Sequence, residues 1–156
     1  MKIGNGTLLL TDAIEHMRSM PDECIDMMFT DPPYRVISGG TESSHVSGFR
    51  SSVLAANDGK IFRHNNVSIT DYMTQFYRLL KPGAHCYVMT NNLNPRDKRH
   101  PTEKPVELMQ HYIENSSAVG DLVLDPFAGS GSTAIAAQRA GRRWLSIEMD
   151  PVFYYG

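Results

Sequence analysis

The sequence has little cysteine, little tryptophan and no long apolar run. Its 156 residues include one tryptophan and two cysteines, Cys24 and Cys86. Two cysteines without metal-ligand spacing predict neither a disulfide framework nor a bound metal. No apolar run approaches the ~18 residues that cross a bilayer, and the first residues do not resemble a secretory signal. These absences favour a cytoplasmic protein with reduced thiols and no membrane partner.

An excess of positive charge is also missing. The chain has 15 lysines and arginines against 17 aspartates and glutamates, a formal net charge of −2. This is not the charge of a protein that grips nucleic acid with its whole surface. Basic residues gather between positions 96 and 104 and between 139 and 143. The second group is equally well explained as a solvated surface, whereas the first lies beside a motif described below.

What the sequence does contain is an alternation of short apolar strands with amphipathic helices. Strands are predicted at 7–10, 25–30, 85–90, 122–124 and 144–147, and helices at about 12–20, 69–83, 105–116 and 132–140. The two middle helices are expected to turn the following residues inward: Met73, Phe76, Tyr77 and Leu80, then Leu108, Met109, Tyr112 and Ile113. Positions 35–66 read as a long loop, and 151–155 as the first turn of a further helix.

This alternation predicts an α/β fold, with a mostly parallel sheet and helices on both faces. Ligands of such sheets bind at the carboxyl ends of the strands. Asp12, Asp31, Asp125 and Glu148 all fall at or just after predicted strand ends. Their position is the first indication of a functional site.

The segment from Asp125 to Thr133 lies between a buried strand and a helix. Its glycines permit tight turning and close approach of the backbone to a ligand, and the helix supplies free N–H groups. Glu148 follows 23 positions after Asp125, near the ~20-residue spacing typical of a carboxylate that holds a ribose. No Gly-Lys-Ser/Thr follows, and the Asp125 carboxylate would repel a phosphate. A nucleoside ligand that bears a positive charge fits better than a nucleotide.

A second motif, Asp31-Pro32-Pro33-Tyr34, ends the 25–30 strand. The prolines stiffen the backbone, so that the Asp31 carboxylate and the Pro32 carbonyl can act as fixed hydrogen-bond acceptors. An exocyclic amino group offers two N–H donors to such a pair. The Tyr34 ring offers a surface on which a base can stack.

Together these motifs resemble the amino-methylating DNA methyltransferases, which act on N6 of adenine or N4 of cytosine. The Asp-Pro-Pro-Tyr tetrapeptide precedes Asp-Pro-Phe-Ala-Gly-Ser-Gly, as in the circularly permuted (beta-type) group of that family. His100-Pro101-Thr102-Glu103-Lys104-Pro105 is similar to a third cofactor motif of the group. The resemblance implies a Rossmann-like methyltransferase fold, S-adenosylmethionine as cofactor and double-stranded DNA as partner.

The resemblance also implies roles for individual residues. Asp31, Pro32, Pro33 and Tyr34 would form the catalytic motif that holds the amine of a flipped base. The cofactor would be bound by residues from four parts of the chain: Thr11, Asp12, Lys104, Asp125, Phe127, Gly129, Gly131, Ser132, Thr133 and Glu148. An aspartate at the head of the tetrapeptide favours adenine N6 over cytosine N4.

The sequence departs from the family in two places. Residues 93–99 occupy a position where a target-recognition region is expected, so that region is predicted to be missing there. The chain also ends after residue 156, in what reads as an incomplete helix. We therefore expect residues 1–156 to form a single catalytic domain that lacks its recognition region and its C-terminal end.

Other function classes remain open. A methylase of RNA bases or of glutamine side chains would usually begin the tetrapeptide with Asn, which Asp31 disfavours. A catalytically silent subunit that binds cofactor or DNA for a partner in a restriction-modification complex is the second alternative. A monomer and a homodimer are both compatible with the resemblance.

Overall fold

The computed structural model of the protein describes residues 1–33, 67–89 and 105–154, without the side chain of Phe153. The secondary structure below belongs to one compact unit, residues 1–32 with 69–156. A second unit, residues 33–68, lies almost entirely outside the described residues, and so does the predicted loop at 35–66.

In the part of the chain that the structure describes, six strands form one sheet in the order β1-β2-β6-β5-β3-β4. They are β1 (Lys2–Ile3), β2 (Gly6–Leu10), β3 (Ile25–Thr30), β4 (Leu80–Val88), β5 (Leu122–Asp125) and β6 (Arg143–Glu148). The β1–β2 pair is antiparallel, and all other neighbouring pairs are parallel. The predicted mostly parallel sheet is confirmed.

The described residues also form five helices: α1 (Ala13–Ser19), α2 (Ile69–Leu79), α3 (Val106–Ser116), α4 (Ser132–Arg139) and α5 (Pro151–Tyr154). The crossovers through α1 and α2 progress toward the β4 edge, whereas those through α3 and α4 run back toward β6. Because parallel crossovers are right-handed, the two pairs must lie on opposite faces. Accordingly, α1 packs against α2 and α3 packs against α4.

The core alternates along the strands, as a sheet covered on both faces requires. In β3, Met27 and Phe29 join a buried cluster with Met109 and Ile113 of α3 and the alanines of α4. Met28, between them, is also fully buried and points to the other face. The small side chains of α4 allow this helix to approach the sheet closely.

Two arginines fasten helix ends. Arg78 of α2 donates to the carbonyls of Met17 and Met20, at the end of α1. Arg142 is buried and donates to the carbonyls of Ala140 and Ser117, the latter at the end of α3. Both positive charges sit where helix C-termini favour them. In the basic group at 139–143, Arg142 is thus structural and not part of a solvated surface.

Three expectations from the sequence are corrected by the structure. The strand predicted at 85–90 is β4, which begins five residues earlier because α2 already ends at Leu79. The pairing of β3 with β4 shifts register in this stretch, which accommodates Pro82 within an edge strand. No sequence pattern indicated β1, whose two residues pair with β2 as a hairpin.

The helix faces are the third correction. α2 buries Tyr72, Phe76 and Leu79, so the predicted face was rotated by about one residue, and Tyr77 is 89% exposed. α3 buries Met109 and Ile113 but leaves Leu108 49% and Tyr112 39% exposed. One helical residue turns the face by about 100°, so adjacent apolar residues make the inward side ambiguous.

Candidate functional site

The topology opens a crevice between β3 and β5. These strands are neighbours, yet the chain leaves the carboxyl end of β3 toward β4 and leaves that of β5 toward β6. This is a topological switch point, at which open α/β sheets bind their ligands. Asp31 follows β3 and Asp125 ends β5, so the two predicted motifs flank the crevice.

A buried hydrogen bond joins the two sides of this crevice. The hydroxyl of Thr30 donates to Oδ1 of Asp125 at 2.8 Å, and the backbone N–H of Phe127 donates to the same oxygen at 3.1 Å. Thr30 is fully buried, and Asp125 is only 3% exposed. Pro32 is buried as well. The residue preceding the Asp-Pro-Pro motif therefore touches the first residue of the glycine-rich turn.

The Asp125 carboxyl has an altered proton affinity. Burial raises its pKa from the ordinary 3.8 to about 6, and the negative charge of Asp31 adds to that rise. Hydrogen bonds from Thr133, Thr30 and Phe127 act in the opposite direction. A buried carboxylate that is ionised near neutral pH attracts a cationic ligand strongly, since little water screens it.

Because the pKa of Asp125 is raised, the free energy of unfolding should fall as the pH rises. Between pH ~4 and ~6 the folded chain retains a proton that the unfolded chain releases. The resulting stabilisation is complete below 3.8 and is lost as the pH rises through about 6. From pH 4 to 7, we expect Asp125→Asn to gain up to roughly 3 kcal/mol in free energy of unfolding relative to wild type. Urea denaturation across this range measures the difference. Parallel pH profiles for the two proteins would contradict it, and Asp71→Asn, at an exposed position of α2, is the control.

The glycine-rich turn is held against the end of β6. The backbone N–H of Ala128 donates to the carbonyl of Ile147 at 2.9 Å, and that of Gly131 donates to the carbonyl of Ala128 at 2.8 Å. Gly129 and Gly131 have φ angles of +50° and +77°, which side chains other than glycine rarely adopt. Among the described residues, no atom lies within 4 Å of a Cβ placed at either glycine. The turn therefore presents bare backbone to open space, as a cradle for a ligand does.

Glu148 organises the same turn. Its Oε2 accepts from the N–H of Gly129, and its Oε1 accepts from those of Met149 and Asp150, all at 2.8 Å. Its backbone carbonyl accepts from the N–H of Thr11 at 3.0 Å. The carboxylate predicted to hold a ribose is thus already oriented by the backbone, with acceptor capacity left on Oε2.

The remaining predicted residues occupy distinct positions. Asp12 caps α1, where its Oδ1 accepts from the N–H of Glu15 at 2.9 Å. The Phe127 ring packs edge-on against Tyr72 with centroids 5.9 Å apart. Ser132 and Thr133 begin α4 and are buried. Tyr34 and Lys104 lie outside the described residues, and so does the basic group at 96–104.

Sequence reasoning missed three residues of this region. Thr30 could have been noticed as a polar residue at the end of the otherwise apolar β3. Tyr72, which supports the Phe127 ring, had no recognisable signal. Ser146 pairs with Asp125 in the sheet, and its buried hydroxyl has no hydrogen-bond partner within the described part of the chain.

A cavity of about 520 Å³ lies at the opposite edge of the sheet and is open to solvent. Its lining includes Lys2, Thr7, Arg143 and Trp144, and none of the predicted site residues. Within residues 1–33, 67–89 and 105–154, no three His, Cys, Asp or Glu side chains are grouped so as to hold a metal ion. No helix in these ranges is both long and apolar enough to span a bilayer. The crevice at the carboxyl edge is therefore the candidate site.

Comparison with known proteins shows a family to which part of this chain is similar. Residues 86–155 match the family model described as DNA methylase, of N6 and N4 type. The chain is 53% identical over 53 residues to YubD of Escherichia coli (strain K12) and 46% identical over 52 residues to the type II methyltransferase M2.DpnII of Streptococcus pneumoniae. These matches cover 34% and 33% of this chain, but only 23% and 19% of the two relatives.

The fold has a counterpart among solved structures. TTHA0409 of Thermus thermophilus, complexed with S-adenosyl-L-methionine, aligns with a TM-score of 0.62 and 22% identity, over 95% of this chain and 91% of that one. That likeness establishes the Rossmann-like fold. The circular permutation expected from the motif order stays a prediction. By the family match over residues 86–155 and by the two relatives, the chain is similar to the N6-adenine and N4-cytosine DNA methylases.

Proposed function

We propose that the protein transfers a methyl group from S-adenosylmethionine to N6 of an adenine flipped out of duplex DNA. The observation that carries the proposal is the crevice, where the Asp31-Pro32 acceptors adjoin the buried Asp125 carboxylate and the glycine-rich turn. The similarity of residues 86–155 to the N6 and N4 DNA methylase family supports a DNA amino group as the target. The aspartate at the head of the tetrapeptide favours adenine.

The described residues fit S-adenosylmethionine. Asp125 supplies a buried negative charge for its cationic methionine end, and Glu148 retains acceptor capacity for ribose hydroxyls. The bare backbone at Gly129 and Gly131 allows close approach. When bound, the cofactor supplies a methyl group already activated on a sulfonium. The protein's task is then mainly placement of the two reactants.

Asp31 and Pro32 bind the amino group of the target adenine. The Asp31 carboxylate and the Pro32 carbonyl each accept one N–H of the adenine amine, which localises the nitrogen lone pair for attack. After methyl transfer the amine carries one proton too many, and the Asp31 carboxylate receives it. Tyr34 stacks on the flipped base, and Pro33 keeps the turn rigid.

Labelled methyl transfer tests the proposal directly. The protein is incubated with tritium-labelled S-adenosylmethionine and unmethylated duplex DNA of mixed sequence, and the DNA is then digested to nucleosides and chromatographed. We expect label in N6-methyldeoxyadenosine. Label in N4-methyldeoxycytidine instead would move the activity to cytosine. Saturable cofactor binding without transfer, on DNA or on RNA, would identify a silent binding subunit and reject the enzyme.

A further inference from the structure

We propose that Thr30 is a positioning residue: its hydroxyl ties the strand that carries Asp31 to the Asp125 carboxylate and so sets the two sides of the crevice relative to each other. This inference rests on the proposed function. Nothing in the motifs themselves assigns Thr30 a part in the reaction.

The position of Thr30 makes its hydrogen bond unusual. The paired residues of β3 and β5 are Met27 with Val123 and Met28 with Leu124, and pairing is not continued to Thr30. Where the strands part, the 2.8 Å bond from Thr30 to Asp125 crosses between them. On its other side, the Thr30 carbonyl accepts from the N–H of Met89 at 2.9 Å, beyond the end of β4. Thr30 therefore connects three strand ends at the crevice.

The bond also couples the two motifs along the chain. Asp31, the proposed acceptor for the target amine, is the residue directly after Thr30. Asp125 is the first residue of the glycine-rich turn. A shift of Thr30 relative to Asp125 would therefore move the amine acceptors relative to the cofactor cradle. Misplacement of reacting groups by as little as ~1 Å can cost about 100-fold in rate.

Thr30 additionally affects the charge of Asp125. A donor that bonds the carboxylate favours its ionised form, and the Thr30 hydroxyl is one of the groups that lower the pKa of Asp125. Without it, that pKa would rise further above about 6. More Asp125 would then be neutral at pH 7, and a neutral carboxyl attracts a cationic ligand less.

The other groups that face Asp125 are not expected to mask the effect of Thr30 on its pKa. Asp31 follows β3 and raises the pKa of Asp125, while α4 contributes the non-ionising Thr133. From β6, Glu148 is engaged with the N–H of Gly129. From α2, Tyr72 packs on Phe127, and burial raises the pKa of its phenol, so it stays neutral. Removal of the Thr30 hydroxyl, the donor from β3, should therefore be measurable as a change in the pKa of Asp125.

Two variants separate the hydroxyl from the volume it fills. Thr30→Val keeps the shape and β-branching of the side chain but removes the donor, whereas Thr30→Ser keeps the donor and removes a methyl group. Ser116→Ala is the control, because it deletes a hydrogen bond of similar length, to the Tyr87 hydroxyl at 2.7 Å, that involves no site residue. Thr30→Cys, a weak donor, replaces the valine variant if that variant does not fold.

Three measurements apply to each protein: kcat and KM with DNA, the pH dependence of kcat/KM, and the pKa of Asp125 by NMR without cofactor. For Thr30→Val we expect kcat to fall about 10- to 100-fold with KM for DNA little changed. The acidic limb of the pH profile and the pKa of Asp125 should both rise by about one pH unit. Thr30→Ser and Ser116→Ala should stay within about threefold of wild type.

Two results would overturn the inference. The first is a valine variant with wild-type kcat and an unmoved acidic limb. The second is equal impairment of the valine and serine variants, which would trace the effect to packing and not to the hydroxyl. If wild type itself transfers no methyl group, the proposed function fails. The NMR titration still reports whether Thr30 sets the ionisation of Asp125, so the two failures are distinguishable.

Discussion

Replacing Asp31 by asparagine is expected to slow single-turnover methyl transfer about 100-fold or more, with S-adenosylmethionine affinity at pH 8 within about threefold of wild type. The amide weakens a charged acceptor and can turn an N–H donor toward the N–H donors of the target amine. Loss of such a charged hydrogen bond, with a donor left facing a donor, costs several kcal/mol in the transition state. Rapid-quench kinetics and titration calorimetry measure the two quantities separately.

Asp31→Asn has a further consequence for its neighbour. The negative charge of Asp31 contributes to the raised pKa of Asp125, so removal of that charge should lower the pKa of Asp125 below about 6. Cofactor binding at pH 5.5 should then be slightly stronger in the variant than in wild type. Near-wild-type methyl transfer by the variant would refute the acceptor role. Loss of cofactor binding at every pH would point to a structural role for Asp31.

The second large effect is expected at Gly129. Gly129→Val should weaken S-adenosylmethionine binding about 100-fold, which is about 2.7 kcal/mol. A β-branched residue is strained at φ +50°, and its side chain would fill the open space that the turn presents to a ligand. Strain at this position also weakens the hydrogen bond from the Gly129 N–H to Glu148. Titration calorimetry at pH 8 gives the affinity.

Gly120 offers a matched control for backbone strain. It has φ +88°, a Cβ there would also meet nothing within 4 Å, and it lies in the turn before β5, at the amino edge of the sheet. Gly120→Val should therefore lower thermal stability about as much as Gly129→Val but keep wild-type affinity. Equal affinities for the two variants would remove the glycine-rich turn from the binding site.

The fold could be predicted because it depends on local signals, and the predicted location of the site rests on the same signals. Apolar runs such as 25–30 and 122–124 ended at prolines or glycines, and the carboxylates after them marked the ligand edge of the sheet. The predicted helix faces were wrong where apolar residues are adjacent, as at Tyr72 and Met73, since only packing decides which of the two turns inward. β1 was not predicted, because its two residues form a strand only by pairing with β2.

The sequence proposes candidate site residues but does not indicate the partners that these residues have in the structure. Asp12 is a helix cap, and Glu148 binds three backbone N–H groups, which no spacing rule could indicate. The bond between Thr30 and Asp125 joins residues 95 positions apart. Such contacts follow from the order of strands in the sheet, which short motifs do not specify.

The two arginines that bind helix ends determine which edge of the sheet can open. Arg78 and Arg142 bind the C-terminal ends of α1 and α3 at the amino edge of the sheet, each through several charged hydrogen bonds. Separation of α1 from α2 would break the bonds of Arg78, and displacement of α3 from the turn after α4 would break the bond from Arg142 to Ser117. At the carboxyl edge, the crevice between β3 and β5 is crossed by the side-chain bond of Thr30. We therefore expect the fold to open at the carboxyl edge, where one side-chain bond crosses between β3 and β5, more readily than at the amino edge.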